Sequence, residues 1–319
     1  MTTARHDLTL RVTAATWEAD GVLGLTLHTI DGSDLPVWEA GAHIDVLLPS
    51  GRNRQYSLCG DPRDRKRYQI AVRLEDAGRG GSAEIHGTAL VGEQLRVASP
   101  RNHFALREAA EYLLIAGGIG VTPLLPMATA LHRRTAAWSM LYCGRGADTM
   151  PFREELVALG GKQVRLVDTT IEDRPDLKDA THRLPPDAVV YCCGPASLID
   201  AVVETCEASG TRYETERFAA NEQRTGTGED NDELELELRR SGVVLAVGPD
   251  TTLLEAIRGA GVEADSDCEE GYCGTCETTV LEGDPDHRDV VLSKVERAAG
   301  KTMMPCVSRA CGKKLVLDL

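Results

Sequence analysis

The pattern of apolar and polar residues divides the 319-residue chain into parts with different periods. Up to about residue 105, runs with apolar residues at alternate positions are broken by turn sequences such as Asp20-Gly21. The predicted strands are Leu8–Val12, Val22–Leu27, Ala42–Leu48, Arg54–Leu58 and Tyr68–Arg73. Short strands at this spacing predict a β-barrel over residues 1–105.

From residue 106 to residue 218 the period changes, because continuous apolar runs alternate with helical stretches. The predicted strands are Tyr112–Ala116, Trp138–Tyr142, Val164–Asp168, Ala188–Cys193 and Tyr213–Glu216. Helices are predicted after the first strand as far as Leu131, near Pro151–Leu159 and near Ala196–Ala208. This alternation predicts an α/β domain with a parallel sheet, whose ligands lie at the carboxyl ends of the strands.

The last part of the chain begins with polar residues that have no apolar period. Residues 219–236 are predicted as a linker, and residues 237–319 as a smaller α+β domain. The predicted elements around it are strands at Leu234–Leu238, Val243–Val247 and Lys314–Leu319, and a helix over Thr251–Ala260. Thr251 or Asp250 is the expected cap of that helix.

Four cysteines in this last part have the spacing C-x4-C-x2-C, with the fourth thirty residues later: Cys268, Cys273, Cys276 and Cys306. This spacing is typical of plant-type [2Fe-2S] sites. Gly271 and Gly274 allow the loop to curl so that backbone amides point at sulfur. Structural zinc is the alternative, but zinc sites usually have two knuckles of two cysteines each. Three cysteines on one loop favour iron–sulfur and leave Cys311 as a small packed residue.

Two motifs of the β-rich part contain the residue types that bind a phosphate. In Arg54-Gln-Tyr-Ser57, the arginine offers a fixed positive charge. In 78–82, Gly-Arg-Gly-Gly-Ser, a glycine-rich turn leads into a predicted helix whose free amides suit an anion. Each motif alone is also compatible with an ordinary strand or a flexible turn. Together in one β-rich part they predict a site for a flavin phosphate.

Two tight turns are predicted at carboxyl ends of strands in the α/β part. The first, 117–120, is Gly-Gly-Ile-Gly and runs into Thr122-Pro123, where the standard dinucleotide motif has a third glycine. Pro123 suits the first turn of a helix and Thr122 suits its N-cap. The second turn is Cys193-Gly-Pro195. Two such turns at one edge predict a dinucleotide site, whereas two routine strand–helix turns are the alternative.

The charge distribution narrows the class of partner. The formal net charge is −15; residues 221–319 contain 21 acidic and 11 basic residues, which gives −10 there and leaves −5 for the first 220. Nucleic acids and anionic membranes select basic surfaces, so neither is an expected partner. The acidic last part predicts instead a protein partner with a basic patch.

The chain is expected in the cytoplasm. Its first residues contain no apolar signal-peptide region, and no run approaches 18 apolar residues. Ten cysteines without a secretion signal favour metal or redox roles in a reducing compartment over disulfide bonds.

In their order along the chain, these motifs resemble the phthalate dioxygenase reductase family, the class IA reductases of bacterial aromatic-ring oxygenase and O-demethylase systems. The resemblance covers nearly the whole chain and rests on 54–58, 78–82, 117–123, 193–195, Glu216-Arg-Phe218, the four cysteines and 283–289. It implies an FMN-binding β-barrel, an NAD-binding α/β domain and a C-terminal β-grasp ferredoxin domain.

The resemblance also implies roles for individual residues. Tyr56 packs on the isoalloxazine ring and Ser57 hydrogen-bonds near its N5, while Phe218 covers the ring and yields to nicotinamide. The residues implied to hold the FMN phosphate are Arg54, Arg79, Gly80, Gly81 and Ser82. The backbones of Ala71 and Val72 are implied to contact the ring. The residues implied to line the nicotinamide path are Gly118, Thr122, Cys193 and Gly194.

The implied function is electron transfer from NADH to a terminal oxygenase. Hydride passes to FMN, and single electrons then pass through the [2Fe-2S] cluster, with Ser57, Cys193 and Phe218 as catalytic residues. FMN rather than FAD and NADH rather than NADPH follow from the family, although Arg145 would also suit a 2′-phosphate. A Rieske-type oxygenase is the expected partner. A cytochrome P450 partner, or a flavin and iron–sulfur redox sensor without turnover, are the alternatives.

Overall fold

The computed structural model describes residues 7–75, 80–218, 231–266, 268–269, 271–292 and 294–319. Within these ranges the chain forms two compact units, one within Ala4–Glu216 and the other within Arg217–Leu319. Each unit has its own buried apolar residues, so each has the hydrophobic core that an independent domain needs.

The first unit begins with a six-stranded antiparallel sheet. Its strands are β1 (Leu8–Ala19), β2 (Val22–Thr29), β3 (His43–Leu47), β4 (Asn53–Ser57), β5 (Arg67–Arg73) and β6 (Gln94–Val97). Their spatial order is β4-β3-β6-β1-β2-β5, and a bridge between Leu58 and Ile70 joins the two edges. The sheet therefore closes into the predicted barrel, and helix α1 (Gly81–Gly87) follows β5.

Two strands of the barrel differ from the prediction. β1 continues to Ala19, beyond the predicted end at Val12, because its outer half pairs with β2. That half carries exposed side chains, including Trp17, and so lacks the apolar alternation of the first half. β6 was not predicted, since only Leu95 and Val97 of its four residues are buried. Pairing with distant strands, rather than local pattern, makes both segments β.

The second half of this unit is the predicted parallel sheet. Its strands are β7 (Glu111–Gly117), β8 (Ala137–Gly144), β9 (Val164–Asp168), β10 (Val189–Cys193) and β11 (Arg212–Glu216). The helices are α2 (Val121–Arg133), α3 (Arg153–Gly160), α4 (Leu177–His182) and α5 (Ala196–Ser209). The strand order β11-β10-β7-β8-β9 places the carboxyl ends of β7 and β10 side by side, with Ala116 opposite Cys193.

Polar contacts fix the barrel against the parallel sheet within this unit. The two terminal nitrogens of the Arg133 guanidinium donate to the carboxylate of Asp61, each at 2.7 Å. This pairing lowers the pKa of Asp61 to about 2. The backbone N–H of Asp20 donates to the carbonyl of Asp148 at 2.8 Å. The predicted flavin and nicotinamide residues up to Glu216 therefore belong to a single compact body.

The second unit contains a mixed five-stranded sheet. The seven strands described in this unit are β12 (Leu234–Leu238), β13 (Val243–Val247), β14 (Thr278–Glu282), β15 (Pro285–Asp286), β16 (Thr302–Met303), β17 (Arg309–Ala310) and β18 (Lys314–Leu317). The sheet order is β13-β12-β18-β14-β16, with β12 and β18 parallel, while β15 and β17 form a separate pair. Helices α6 (Leu253–Gly259) and α7 (Lys294–Ala299) complete the unit. The apolar side of α6 packs into the core, as expected for a β-grasp domain.

The cap of α6 is Thr252, not Thr251 or Asp250 as predicted. The Thr252 hydroxyl accepts the N–H of Glu255 at 3.1 Å, and the Glu255 carboxylate accepts the N–H of Thr252 at 2.9 Å. This reciprocal capping box satisfies two backbone donors at the start of the helix.

The end of the predicted linker is already part of the folded unit. β12 begins at Leu234, inside the range 219–236. Arg309 donates to the carbonyl of Asp232 at 3.0 Å, and Arg288 donates to the side-chain oxygen of Asn231 at 2.7 Å. Residues 219–230 lie outside the described residues.

Candidate functional site

The strand β4 and the start of α1 form a small cradle in the first unit. A Cβ atom on Gly81 would lie 2.6 Å from Nε of Arg54, so only glycine lets the guanidinium lie against the start of the helix. Gly80 has φ +78°, which also favours glycine. The Ser82 hydroxyl accepts the N–H of Glu75 at 3.1 Å and keeps its own hydrogen to donate. This cradle fits a phosphate, while Arg79 lies outside the described residues.

Arg52 is a cation in this region that the sequence reasoning did not include. Its Nε lies 3.5 Å from the position of a Cβ on Gly80, and its Nη1 lies 3.4 Å from the carboxylate of Glu84. Arg52 and Arg54 are two residues apart at β4, so they share a face of the extended chain. That spacing is the signal that could have revealed a second cation.

Tyr56, Ala71 and Val72, which the resemblance places at the flavin ring, lie on two neighbouring segments of the barrel, β4 and β5. Tyr56 packs against the barrel core, and burial raises the pKa of its hydroxyl to about 12. The side chains of Ala71 and Val72 are buried in β5. The carbonyl oxygen of Val72 lies 2.9 Å from a ring nitrogen of His86, so any backbone contact with a flavin shares that oxygen.

Ser57 and Glu216 meet where the barrel touches the last strand of the parallel sheet. The Ser57 hydroxyl lies 3.4 Å from Oε2 of Glu216; Ser57 is buried and the side chain of Glu216 is half-buried. Burial raises the pKa of Glu216 to about 8, against the lowering effects of Ser57 and His103. Cys193 is fully buried, and burial together with the charge of Glu216 raises the pKa of its thiol.

Glu216 was predicted only as part of a motif, without a role of its own. Its position, the last residue of a parallel strand, is where α/β sheets place ligand-binding groups. A neutral carboxyl group can donate to the Ser57 oxygen, which leaves the serine hydrogen free for a flavin nitrogen. Glu216 is thus a candidate positioning residue beside Ser57 and Cys193.

The two predicted glycine turns are packed directly on one another. A Cβ on Gly120 would lie 2.2 Å from the carbonyl oxygen of Cys193, and one on Gly194 would lie 2.9 Å from Cα of Gly117. Gly118 has φ +53° and open space on its Cβ side. Backbone approaches this close require glycine, and the open side of Gly118 is where a dinucleotide can approach.

Thr122 does not cap α2 as predicted. The helix begins after Gly120, and the Thr122 hydroxyl donates to the carbonyl of Ile119 at 3.0 Å. Its side chain is 2% exposed, so it holds the turn from inside. The Tyr142 hydroxyl donates to the Gly118 carbonyl at 3.2 Å and so supports the same turn. The sequence reasoning missed this residue.

Phe218 belongs to the second of the two compact units and is 38% exposed. Its role in covering a flavin ring therefore stays a prediction. Its exposure leaves an aromatic face available for contact, which a flavin or nicotinamide ring would suit.

The four cysteines of the second unit form two pairs. Sγ of Cys276 lies 3.2 Å from Sγ of Cys306, and the N–H of Cys268 donates to Sγ of Cys273 at 3.5 Å. In each pair the hydrogen bond between the two thiols lowers the pKa of one member, Cys273 in the pair with Cys268 and Cys276 in the pair with Cys306. Two thiol pairs on one loop and its neighbour fit a cluster of two irons with two thiolates each.

The cysteine loop has the curled backbone that its glycines predict. Gly271 has φ +75° and Gly274 has φ +80°. A Cβ on Gly271 would lie 2.5 Å from a methyl group of Val307, so the loop packs directly against the segment that carries Cys306. Cys311 is exposed, which corrects the expectation of a packed residue.

The comparison with known proteins agrees with this geometry. Residues 236–311 match the 2Fe-2S iron-sulfur cluster binding domain family, and this range includes all four cysteines. The phenoxybenzoate dioxygenase subunit beta of Ectopseudomonas oleovorans is 40% identical over 314 residues, which cover 98% of this chain and 97% of that protein. The solved structure of phthalate dioxygenase reductase is 36% identical over 100% of both chains, with a TM-score of 0.76.

The chain belongs to the phthalate dioxygenase reductase family. This membership confirms the predicted architecture, the oxidoreductase function in electron transfer to an oxygenase, and the set of FMN, pyridine nucleotide and [2Fe-2S] cluster. The match to the iron–sulfur domain family excludes the alternative that the four cysteines bind a structural zinc ion. The individual site residues remain predictions, which the geometry above supports to different degrees.

This reductase also resembles part of a longer protein. An intact type IV self-sufficient cytochrome P450 monooxygenase is 41% identical with a TM-score of 0.78; the match covers 98% of this chain but only 41% of that one. Among the residues that the structure describes, none of the helices has both the length and the apolar composition needed to cross a membrane.

Proposed function

We propose that this reductase transfers electrons from NADH through FMN and a [2Fe-2S] cluster to a terminal oxygenase of the Rieske type. The single observation that carries the proposal is the pairing of two sites in one chain. The first unit brings Ser57 and Glu216 together at 3.4 Å and packs both glycine turns at its sheet edge. The second unit brings three thiols of one loop together with Cys306 of a separate segment. The boundaries 1–105 and 106–218 are proposed for the first two domains. The third, predicted as 237–319, is proposed to begin by Asp232, because Arg309 donates to the Asp232 carbonyl and β12 begins at Leu234.

The residues around β4 and α1 are proposed to hold the flavin. Arg54, Gly81 and Ser82 offer a cation, an open backbone and a hydroxyl hydrogen to the phosphate, with Gly80 beside them. Arg79 is proposed as a further phosphate ligand from the sequence motif alone. FMN accepts a hydride and releases electrons singly, which a [2Fe-2S] cluster accepts one at a time. Ser57 is proposed to direct its hydroxyl hydrogen to the flavin while neutral Glu216 donates to its oxygen.

The turns that follow β7 and β10 are proposed to hold the nicotinamide nucleotide. Gly118 and Gly194 are proposed to lie along the path of the bound nucleotide, and Cys193 is buried behind them. NADH over NADPH is proposed from the family resemblance, whereas Arg145, which follows β8, would also suit a 2′-phosphate.

The acidic second unit is proposed as the surface that meets the oxygenase. Residues 221–319 carry a net charge of −10, which steers a partner with a basic patch toward the cysteine loop. The half-buried Cys268 and Cys273 lie nearer the surface than Cys276 and Cys306. The cytoplasm is the proposed location, because ten free cysteines suit a reducing compartment.

A cytochrome P450 is the second candidate partner. The observation that favours it is the match of nearly the whole chain to one part of a self-sufficient P450 monooxygenase. A redox sensor without turnover is the remaining alternative, and rapid NADH-driven reduction of cytochrome c would exclude it.

Reconstitution tests the proposal directly. The purified holoprotein, with its flavin identified by chromatography after release, is mixed with a Rieske oxygenase or with a P450, and product is measured with NADH and with NADPH. The proposal expects FMN, a preference for NADH and product with the Rieske oxygenase. Product only with the P450 supports the second candidate, and a protein without iron overturns the electron-transfer scheme.

A further inference from the structure

The segment 284–289, Asp-Pro-Asp-His-Arg-Asp, ends in a buried carboxylate to which the proposed function gives no role. Asp289 is 3% exposed and lies in the second unit. It is placed between the loop that carries three of the cysteines and the segment that carries the fourth.

On the side of the cysteine loop, the contact is made through backbone. The N–H of Val290 donates to the carbonyl of Gly271 at 2.9 Å. A Cβ on Gly271 would lie 3.1 Å from Cα of Asp289, so the two segments touch between Cys268 and Cys273. Any shift of Asp289 therefore moves the loop that holds the first pair of thiols.

On the side of Cys306, the contact is made through Ser308. Its hydroxyl oxygen lies 3.5 Å from Oδ1 of Asp289 and accepts the N–H of Arg288 at 3.1 Å. Ser308 is 1% exposed and is two residues beyond Cys306. The segment 288–290 thus joins both parts of the cysteine set.

The carboxylate itself is surrounded by donors. Oδ2 accepts the N–H groups of Val291 at 3.0 Å and Leu292 at 2.9 Å. Arg297 lies 3.7 Å from the carboxylate and donates to the Asp289 carbonyl at 2.5 Å, and Nδ1 of His287 is 3.7 Å from Oδ1. Charge-assisted bonds of this kind hold a carboxylate in one geometry.

We propose that Asp289 is a positioning residue that fixes the cysteine loop against Cys306, and that its charge lowers the reduction potential of the cluster. The inference rests on the proposed function in assigning a cluster to the four cysteines. A cluster gains one negative charge on reduction, and a buried negative charge nearby disfavours that gain. Hydrogen bonding and charge around the sulfurs are established determinants of such potentials.

The charge is tested with Asp289→Asn in the full-length holoprotein. The amide oxygen still accepts from Val291 and Leu292, so the shape is kept while the charge is lost. We expect the midpoint potential, from a titration followed by the electron paramagnetic resonance of the reduced cluster, to rise by about 59 mV or more, a tenfold change in the reduction equilibrium. Asp284→Asn removes an exposed charge from the same segment and should leave the potential unchanged.

The positioning role is tested with Asp289→Ala, which also removes the acceptor. We expect iron release to a chelator to be at least about tenfold faster than in Asp289→Asn, with flavin content unchanged. Equal midpoint potentials in Asp289→Asn and Asp284→Asn would contradict the effect of charge. Iron release from Asp289→Ala as slow as from the wild type would contradict the positioning role.

A variant with the opposite sign keeps the proposal testable if the Asp289 variants do not fold. Arg297→Gln removes the half-exposed cation beside Asp289, so the potential should fall. A rise or no change contradicts the electrostatic argument. Wild-type protein that contains flavin but no iron would instead refute the proposed function, which separates the two failures.

Discussion

Glu216, which is half-buried, and Asp289, which is buried, are carboxyl groups beside proposed cofactor sites, but their surroundings differ. Glu216 accepts a long bond of 3.4 Å from Ser57, and burial raises its pKa to about 8. Asp289 accepts two backbone N–H groups at 3.0 and 2.9 Å and lies near Arg297. The number of hydrogen-bond donors around a carboxyl group, more than its depth of burial, determines how firmly its charged form is held.

The difference matches the chemistry expected at each site. Hydride transfer changes the protonation of the flavin, so a carboxyl group that exchanges a proton near neutral pH suits the first unit. One-electron transfer changes only charge, so a carboxylate held in place by donors suits the second unit. The two units can therefore be disturbed separately, and the largest effect is expected at the cysteines.

Cys276→Ser should abolish electron delivery to the oxygenase and leave flavin reduction by NADH intact. Cys276 is 5% exposed and lies 3.2 Å from Cys306, so a hydroxyl there disrupts one thiol pair. Stopped-flow absorbance measures flavin reduction, and product formation measures delivery. Cys311→Ser changes an exposed cysteine outside the set and should behave as wild type. Loss of both steps in Cys276→Ser would mean that the units are not separable.

Glu216→Gln should flatten the dependence of stability on pH. The folded pKa of about 8 lies above the ordinary value of 4.5, so Glu216 stabilises the fold fully below pH 4.5. This stabilisation is lost as pH rises to about 8, at up to about 1.4 kcal/mol per pH unit. Unfolding free energies from urea titrations at several pH values measure the slope.

The control for that slope is Glu214→Gln, which removes a charge from the same strand. Glu214 pairs with Arg107 at 2.7 Å on a partly exposed surface, where an ion pair contributes little. The pH dependence of the unfolding free energy of Glu214→Gln should match that of the wild type. If Glu216→Gln also follows the wild type, Glu216 is not the neutral group inferred here.

Ser57→Ala should slow flavin reduction by about tenfold, which corresponds to about 1.4 kcal/mol for one lost hydrogen bond in the transition state. Stopped-flow mixing with NADH at constant flavin content gives the rate. Ser209→Ala, at the exposed end of α5, is the matched control. A rate equal to the control would remove Ser57 from the mechanism.

Added salt should have the smallest effect and should act only on the second unit. Between about 0.05 and 0.5 M salt, we expect kcat/KM for the oxygenase to fall by about two- to fivefold, because screening weakens steering by the acidic unit. Reduction of an uncharged quinone should change little. A flat response with the oxygenase would contradict electrostatic steering.

Several features of this reductase are determined by the sequence alone. The spacing of Cys268, Cys273, Cys276 and Cys306 determines the cluster type, because ligand geometry limits the number of intervening residues. The apolar pattern predicts most strands of the barrel, where apolar residues alternate, and of the parallel sheet, where apolar runs are continuous because both faces are covered. The glycines of the two turns are also local signals, since each is needed where backbone meets backbone.

Other features were decided only by the tertiary structure. In the sequence Glu216 is an ordinary polar residue of an edge strand, and only the fold brings Ser57 to 3.4 Å from its carboxyl group. Asp289 reads as one acid among many until Gly271 and Ser308 close around it. The burial of Thr122 and the exposure of Cys311 were likewise decided by the tertiary structure and not by the local sequence. Local sequence determines propensity and spacing, but the environment of one polar group depends on which distant segments cover it.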